Sequence, residues 1–332
     1  MLQHDEPAAT HVPVLELQSR ISNLLLHRYN TLMQEAHFIP CATTIAQTSE
    51  ITWLAWKERL AAERLTRKAK GILNIFEKTG RHWEETFWQL LARNFGMKVN
   101  GDAFENLAQT VPVKLLAKHK SSIQQLEAFL LGHANLLPQQ PQDDYTKLLL
   151  REYCFLKAKY NLPYLTVPVH FLRMRPPNFP TIRLAQLAAL VRTPVFENSG
   201  SNRCGAGKKK LQVTANDYWH YHYKPDEPSA YKPKTIGGDM IDNIMINTVV
   251  PVLFAYGLYH GKEAQQEKAI LWLQQLSAEN NSITKGFSNI SISNKTAFDS
   301  QVLIELENEY CHHRRCLQCA VGNALLKKWN TT

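Results

Sequence analysis

Ser49-EITWLAWKERLAAERLTRKAKGILNIFEKT-Gly80 is the stretch on which the reading of the whole chain turns. Leu60, Leu65, Ala69, Ile72, Leu73 and Phe76 recur at helical spacing and mark one buried face. Ser49 or Thr52 can accept the orphan N–H groups at the start, and Gly80 stands just past an end near Lys78, where a left-handed residue closes a helix. Working outward, the same periodicity predicts helices over Val14–Glu35, Trp83–Phe95, Asp102–Gln109, Lys114–His119 and Ser121–Gly132. In the first of these Leu17, Ile21, Leu24, Leu25 and Tyr29 form the apolar face; in the last, Ser121 and Gln124 suggest a capping box. Asp143–Tyr160, Thr181–Val191, Asp239–Tyr259, Lys262–Leu276, Thr296–Glu309 and Leu317–Trp329 continue the pattern. Only Leu165–Val169 alternates as a strand does.

Thr193–Lys234 breaks this regularity. It is rich in Gly, Ser, Asn, Pro and Lys and reads as a long loop, with at most one short element near Ala215–His222. The expectation is therefore a mainly α, multi-helix protein with few short strands and one long irregular connection. Its regions are a helical part over 1–192, a linker over 193–238, and a helical part over 239–332 that carries a cysteine cluster.

Composition bounds the function. The 332 residues are 44% hydrophobic and 20% charged, an ordinary globular balance that excludes a disordered or fibrous chain. No apolar run reaches the length of a membrane helix, because Pro251 and Gly257 interrupt the longest. The first residues have neither the basic nor the apolar part of a secretory signal, so the expected compartment is the cytoplasm, with no membrane partner. Thiols in that compartment more often hold metals than form disulfides.

Cys311-HHRR-Cys316-LQ-Cys319 is the sharpest local motif. Three thiols at this spacing can converge on one centre, with Cys41, His312 or His313 as a fourth ligand. Zinc or an iron–sulfur cluster both fit, and the spacing does not choose between them. Arg314 and Arg315 would offset thiolate charge. The plainer reading is three small apolar side chains at the start of a helix.

The 38 Lys and Arg against 29 Asp and Glu give a formal charge of +9. Arg64, Arg67 and Lys68 crowd one helix, Lys118 belongs to a second group, and Lys208–Lys210 form a third. Such clusters neutralise phosphates, so DNA or RNA is the expected partner; a solvated helix face is the alternative. Arg173, Arg175 and Arg183 surround a rigid proline turn and a helix start, a plan suited to an anion. Asp242, Asn243 and Asn247 lie inside an apolar helix, where their polar groups must find partners. Gly205-Ala-Gly207-Lys208 is no phosphate loop: Lys209 stands where Ser or Thr should hold magnesium, and no strand precedes it. His220 and His222, two apart, suit one face of a strand. No nucleophile or general base converges with the arginines, so catalysis on a small anion is the weakest of the readings.

Several of these stretches resemble a bacterial family, domain-of-unknown-function family 2851. They are Ala62–Leu65, Trp83–Phe87, Leu91–Gly96, Leu116–His119, Arg175–Ala185, Asp242-Asn243, Asn247–Pro251, Ala297–Gln301 and Asn308–Cys311 through Cys316, Cys319 and Asn323. The resemblance implies a further β-rich half upstream, similar to restriction-endonuclease-like folds, of which His4–Pro7 looks like the departing strand. The catalytic carboxylates would lie there, leaving this chain as a nucleic-acid-binding accessory part that does not cut alone. By analogy with nucleases of that type, one early and three late cysteines, Cys41 with Cys311, Cys316 and Cys319, would close a metal or iron–sulfur site. The competing reading is a protein-interaction scaffold with structural zinc and no nucleic-acid role.

Overall fold

The structure, a computed structural model, describes residues 20–172, 174–193 and 204–327. In chain order the first helices are α1 (Asn23–Gln34), α2 (Glu50–Lys78), α3 (Trp83–Phe95), α4 (Met97–Thr110), α5 (Val113–Lys118), α6 (Ile123–Glu127), α7 (Asp144–Tyr160) and α8 (Pro180–Arg192). After α9 (Cys204–Leu211) and α10 (Asp217–His220) comes the short antiparallel pair β1 (His222–Lys224) and β2 (Glu227–Pro228). Then follow α11 (Gly238–Ile244), α12 (Val250–Tyr259), α13 (Glu263–Gln275), α14 (Ser282–Asn289), α15 (Ala297–Glu305) and α16 (Ala320–Lys327). The molecule is mainly α, as the periodicity predicts.

Several boundaries follow from local chemistry. α2 closes as expected: Gly80 takes φ +67°, and Arg81 N–H reaches back to the Phe76 carbonyl at 2.8 Å. Asp143 caps α7 by accepting from Thr146 N–H at 2.6 Å. The cap of α6 is Ser122, not Ser121, and it accepts from Gln125 N–H.

Other expectations are corrected. No residue of α1 is buried. Leu24, Leu25 and Leu26 are consecutive, so they fan around the helix instead of forming one stripe. Leu165–Val169 forms no strand, and residues 204–238 hold two helices and the β1–β2 hairpin where a nearly structureless loop was expected. Pro251 does not break its helix either. A π-helical turn at Met245–Val249 joins α11 to α12, and Pro251 occupies the first turn after it, where its missing N–H costs least. The result is a continuous 22-residue helix, Gly238–Tyr259, long and apolar enough to cross a membrane by length and composition, and more than half buried within the protein.

The chain forms two units. The first takes residues 1–60, 281–293 and 303–332; the second takes 61–280 and 294–302. In the first, Ile39, Ile45, Trp56, Phe287 and Val321 are buried, Phe38 meets Phe287 edge-on at 5.2 Å, and Trp56 meets Tyr310 edge-on at 5.1 Å. In the second, Trp88, Phe95, Phe104, Leu107 and Phe129 form the core, and the Trp88 indole donates to the Val111 carbonyl at 3.0 Å.

Candidate anion-binding cleft and four-cysteine cluster

The second unit contains a cleft of about 1400 Å³. Lys68 enters from α2, Arg93 from α3 and Lys98 from α4. Arg175 and Arg183 come from the proline turn and the first turn of α8; Lys232 and Lys234 come from the segment before α11. Glu105 and Asp239 are the carboxylates on the wall, and Glu105 is already bonded to Arg93. Lys68 donates to Asn247 Oδ1 at 3.1 Å and to Gln301 Oε1 at 3.3 Å. Of the polar insertions in the apolar helix, Asn243 and Asn247 line the cleft, while Asp242 pairs with Lys208 at 2.6 Å.

At one side of the cleft lies a polar network. Arg183 donates to Gln186 Oε1 at 3.0 Å and to Asn178 Oδ1 at 2.6 Å, while its Nε–H, out of reach of water, has no partner. Gln186 in turn donates to the Lys234 carbonyl at 3.2 Å. Lys234 donates to the Lys232 carbonyl at 3.1 Å, and its ammonium lies 3.8 Å from the centre of the Tyr223 ring. Burial lowers the Arg183 pKa, since desolvation penalises the charged form.

The remaining basic candidates scatter. Arg64 is half-buried and donates to Gln301 Oε1 at 2.7 Å, fixing α2 to α15 within this unit. Arg67 and Lys118 are exposed and do not line the cleft, and Arg173 lies outside the described residues. The paired histidines share no strand. His220 ends α10, while His222 starts β1 and stacks on Tyr218 at 4.0 Å.

In the first unit, Cys41, Cys311, Cys316 and Cys319 are neighbours although up to 278 positions separate them (319 − 41). Burial is the main reason their thiols resist ionisation, and at Cys41, Cys311 and Cys316 the charge of neighbouring cysteines adds to it. Cys41 is pushed up to about 12 and Cys316 to about 11, while Cys311 and Cys319 are also raised. Arg314 works against this at Cys316. It stands in the left-handed region at φ +52° and donates to the Glu35 carbonyl at 3.2 Å; Arg315 is exposed.

At Cys319 burial raises the pKa, and neighbouring N–H groups oppose it. The backbone N–H groups of Val321 and Gly322 favour its charged form, and so does the Trp56 indole. Trp56 is 2% exposed, and its N–H has no hydrogen bond of ordinary length. Gly322 is required here because a Cβ would stand 2.4 Å from the Cys316 carbonyl oxygen. His312 and His313 are exposed, and Cys154 and Cys204 belong to the other unit. Among the described residues, no three His, Cys, Asp or Glu side chains stand in an arrangement that holds a metal ion. An ion at the four thiols would have to draw them together.

A family model described as a protein of unknown function, DUF2851, matches residues 2–282. The chain belongs to this family. The DUF2851 match takes in every described cationic residue of the cleft and Cys41; the three late cysteines follow it. No curated protein and no solved structure matches the chain.

Reasoning from sequence missed Lys232 and Lys234, which lie in the segment read as loop, and the buried Glu127. Glu127 accepts from Tyr145 at 2.7 Å and from the Trp219 indole at 3.0 Å. Its signal was present, as a carboxylate within the apolar run Leu126–Leu131.

Proposed function

We propose that this DUF2851 chain is the nucleic-acid-binding, non-catalytic part of a nuclease-like protein, and that its four cysteines hold zinc or an iron–sulfur cluster as a structural staple. The observation that carries the first part is the cleft, in which cations from five separate segments face one space with few carboxylates to answer them. A phosphate backbone supplies that charge. The convergence of Cys41 with the 311–319 thiols supports the second part.

The test of the first part is a salt titration of single-stranded DNA and RNA binding. Engagement of about five phosphates predicts a slope of log K against log salt near −3.5, and affinity falling on the order of a hundredfold between about 50 and 200 mM salt. Arg175→Ala should weaken binding to all sequences alike, as a phosphate contact does. Absence of binding at low salt would overturn the reading. For the staple, anaerobic purification with metal analysis and a visible spectrum distinguishes iron–sulfur from zinc, and metal-free protein of full stability would dismiss both.

A further inference from the structure

Arg183 and Lys234 are buried cations with no counter-ion among the described residues. Arg183 is 8% exposed and Lys234 is 4% exposed. Among the described residues neither takes part in an ion pair, although buried charges are normally matched by a carboxylate. Neutral oxygens satisfy part of their donor capacity: Asn178 and Gln186 for the guanidinium, the Lys232 carbonyl and the Tyr223 ring for the ammonium. The Arg183 Nε–H remains without an acceptor. Gln186 links the two by accepting from one side chain and donating to the backbone of the other residue. Both residues line the cleft.

A fold that only needed these positions filled would be more stable with apolar residues there, because each unmatched charge carries a desolvation cost. The charges make sense when the answering charge arrives from outside. Two unmatched cations on one cleft, joined through Gln186 and the Lys234 backbone, are answered most fully by a group that brings two negative charges and several acceptor oxygens. A carboxylate or an internal phosphodiester brings one negative charge. A phosphate monoester brings nearly two at neutral pH.

We infer that the Arg183–Gln186–Lys234 network is a subsite for a phosphate monoester dianion, and that within the proposed nucleic-acid reading its occupant is the terminal phosphate of a strand. The inference rests on that reading only for the source of the phosphate. Arg175 and Lys232, exposed on the cleft wall, would then follow the backbone away from the end.

The experiment compares single-stranded oligonucleotides of one sequence carrying a 5′-phosphate, a 3′-phosphate or hydroxyls at both ends, by fluorescence anisotropy on the full chain. Thermal melts with inorganic phosphate and with a nucleoside monophosphate run in parallel. One phosphorylated end should bind about 10- to 100-fold more tightly than the hydroxyl-ended strand, the size of one or two charge-assisted hydrogen bonds. Arg183→Gln and Lys234→Met should each weaken the phosphorylated strand more than the hydroxyl-ended one, and so reduce that preference. In the ligand-free protein the relief of an unmatched charge is set against the lost hydrogen bonds to Asn178, Gln186 and the Lys232 carbonyl, so each variant's melting temperature is measured alongside. If either variant misfolds, the wild-type comparison of ends still decides. Equal affinity for all ends overturns the subsite and leaves general nucleic-acid binding in place. Stabilisation by a nucleoside monophosphate with no oligonucleotide bound at low salt upholds the subsite and overturns the nucleic-acid reading. No response to any phosphate overturns both.

Discussion

Glu127 and His133 bracket the π-helical turn Ala128–Gly132, and each is held in its neutral form by burial. Desolvation raises the Glu127 carboxyl to about 7, against the hydrogen bonds from Tyr145 and Trp219. Desolvation lowers His133 to about 4, with Lys157 adding to it. The signs oppose each other. Between the ordinary carboxyl pKa and about 7 the folded state holds a proton on Glu127 that the unfolded chain releases, so this residue loses stability as pH rises. Over about 4 to 6.5 the unfolded chain protonates His133 and the folded state does not, so this residue gains stability as pH rises. Wild-type stability should therefore vary little across this window. Glu127→Gln keeps an acceptor for Tyr145 and Trp219 but removes one arm; urea midpoints of that variant should climb from pH 5 to pH 7. A flat profile would mean that His133 titrates normally.

At the scale of the element, Asp143 does more than cap α7. Burial works against its charge, but hydrogen bonds from Tyr218 and Thr146 outweigh it and hold its pKa down to about 2. Its Oδ2 also accepts from Asp226 N–H at 3.2 Å, and its own N–H donates to Asp226 Oδ1 at 3.0 Å, tying the start of α7 to the β1–β2 turn. Asp143→Ala should cost about 1–2 kcal/mol, the upper half of the range for a lost cap, and Asp143→Asn less, read as shifts in the denaturation midpoint. The helix itself was legible because Asp143 opens a periodic run; the tie to Asp226 was not, since nothing in sequence pairs residues 83 positions apart. The same limit governs the cleft. Arg183 stands in a conspicuous proline–arginine motif, but its lack of a counter-ion is a property of packing. Lys234 sits in a Lys- and Pro-rich segment whose composition predicts exposure, and tertiary burial overrides that expectation. α1 errs the other way, with an apolar sequence that reads as core and lies at the surface.

At the scale of the whole molecule, the proposed staple ties stability to the four thiols of the first unit. Cys41 must be brought to residues 311–319 against the entropy of closing a very long loop, so an ion that ligates all four contributes to folding itself. Cys316→Ser should abolish the metal that the staple reading expects and lower the melting temperature of the first unit. Chelation of the wild type should reproduce that loss, whereas Cys154→Ser should change neither. Trp56→Phe keeps the ring against Tyr310 but removes the indole N–H, which has no hydrogen bond of its own and favours charge on Cys319. If the staple is a cluster, its reduction potential should become more negative with fewer N–H groups at the sulfur; if zinc, affinity should fall without loss of the fold.

The division of the chain has an order of assembly built into it. Residues 61–280 supply nearly all of the second unit as one uninterrupted run, while the first unit draws on residues 1–60 and waits for 303–332. On a ribosome, the cleft-bearing unit can begin to fold while the early thiol and its surroundings stay without their counterparts until residues 303–332 emerge. The first unit thus closes only after residues 303–332 have been made. A nascent chain arrested before Cys311 should already protect residues of the second unit from protease and leave Ile39, Cys41 and Trp56 open to attack.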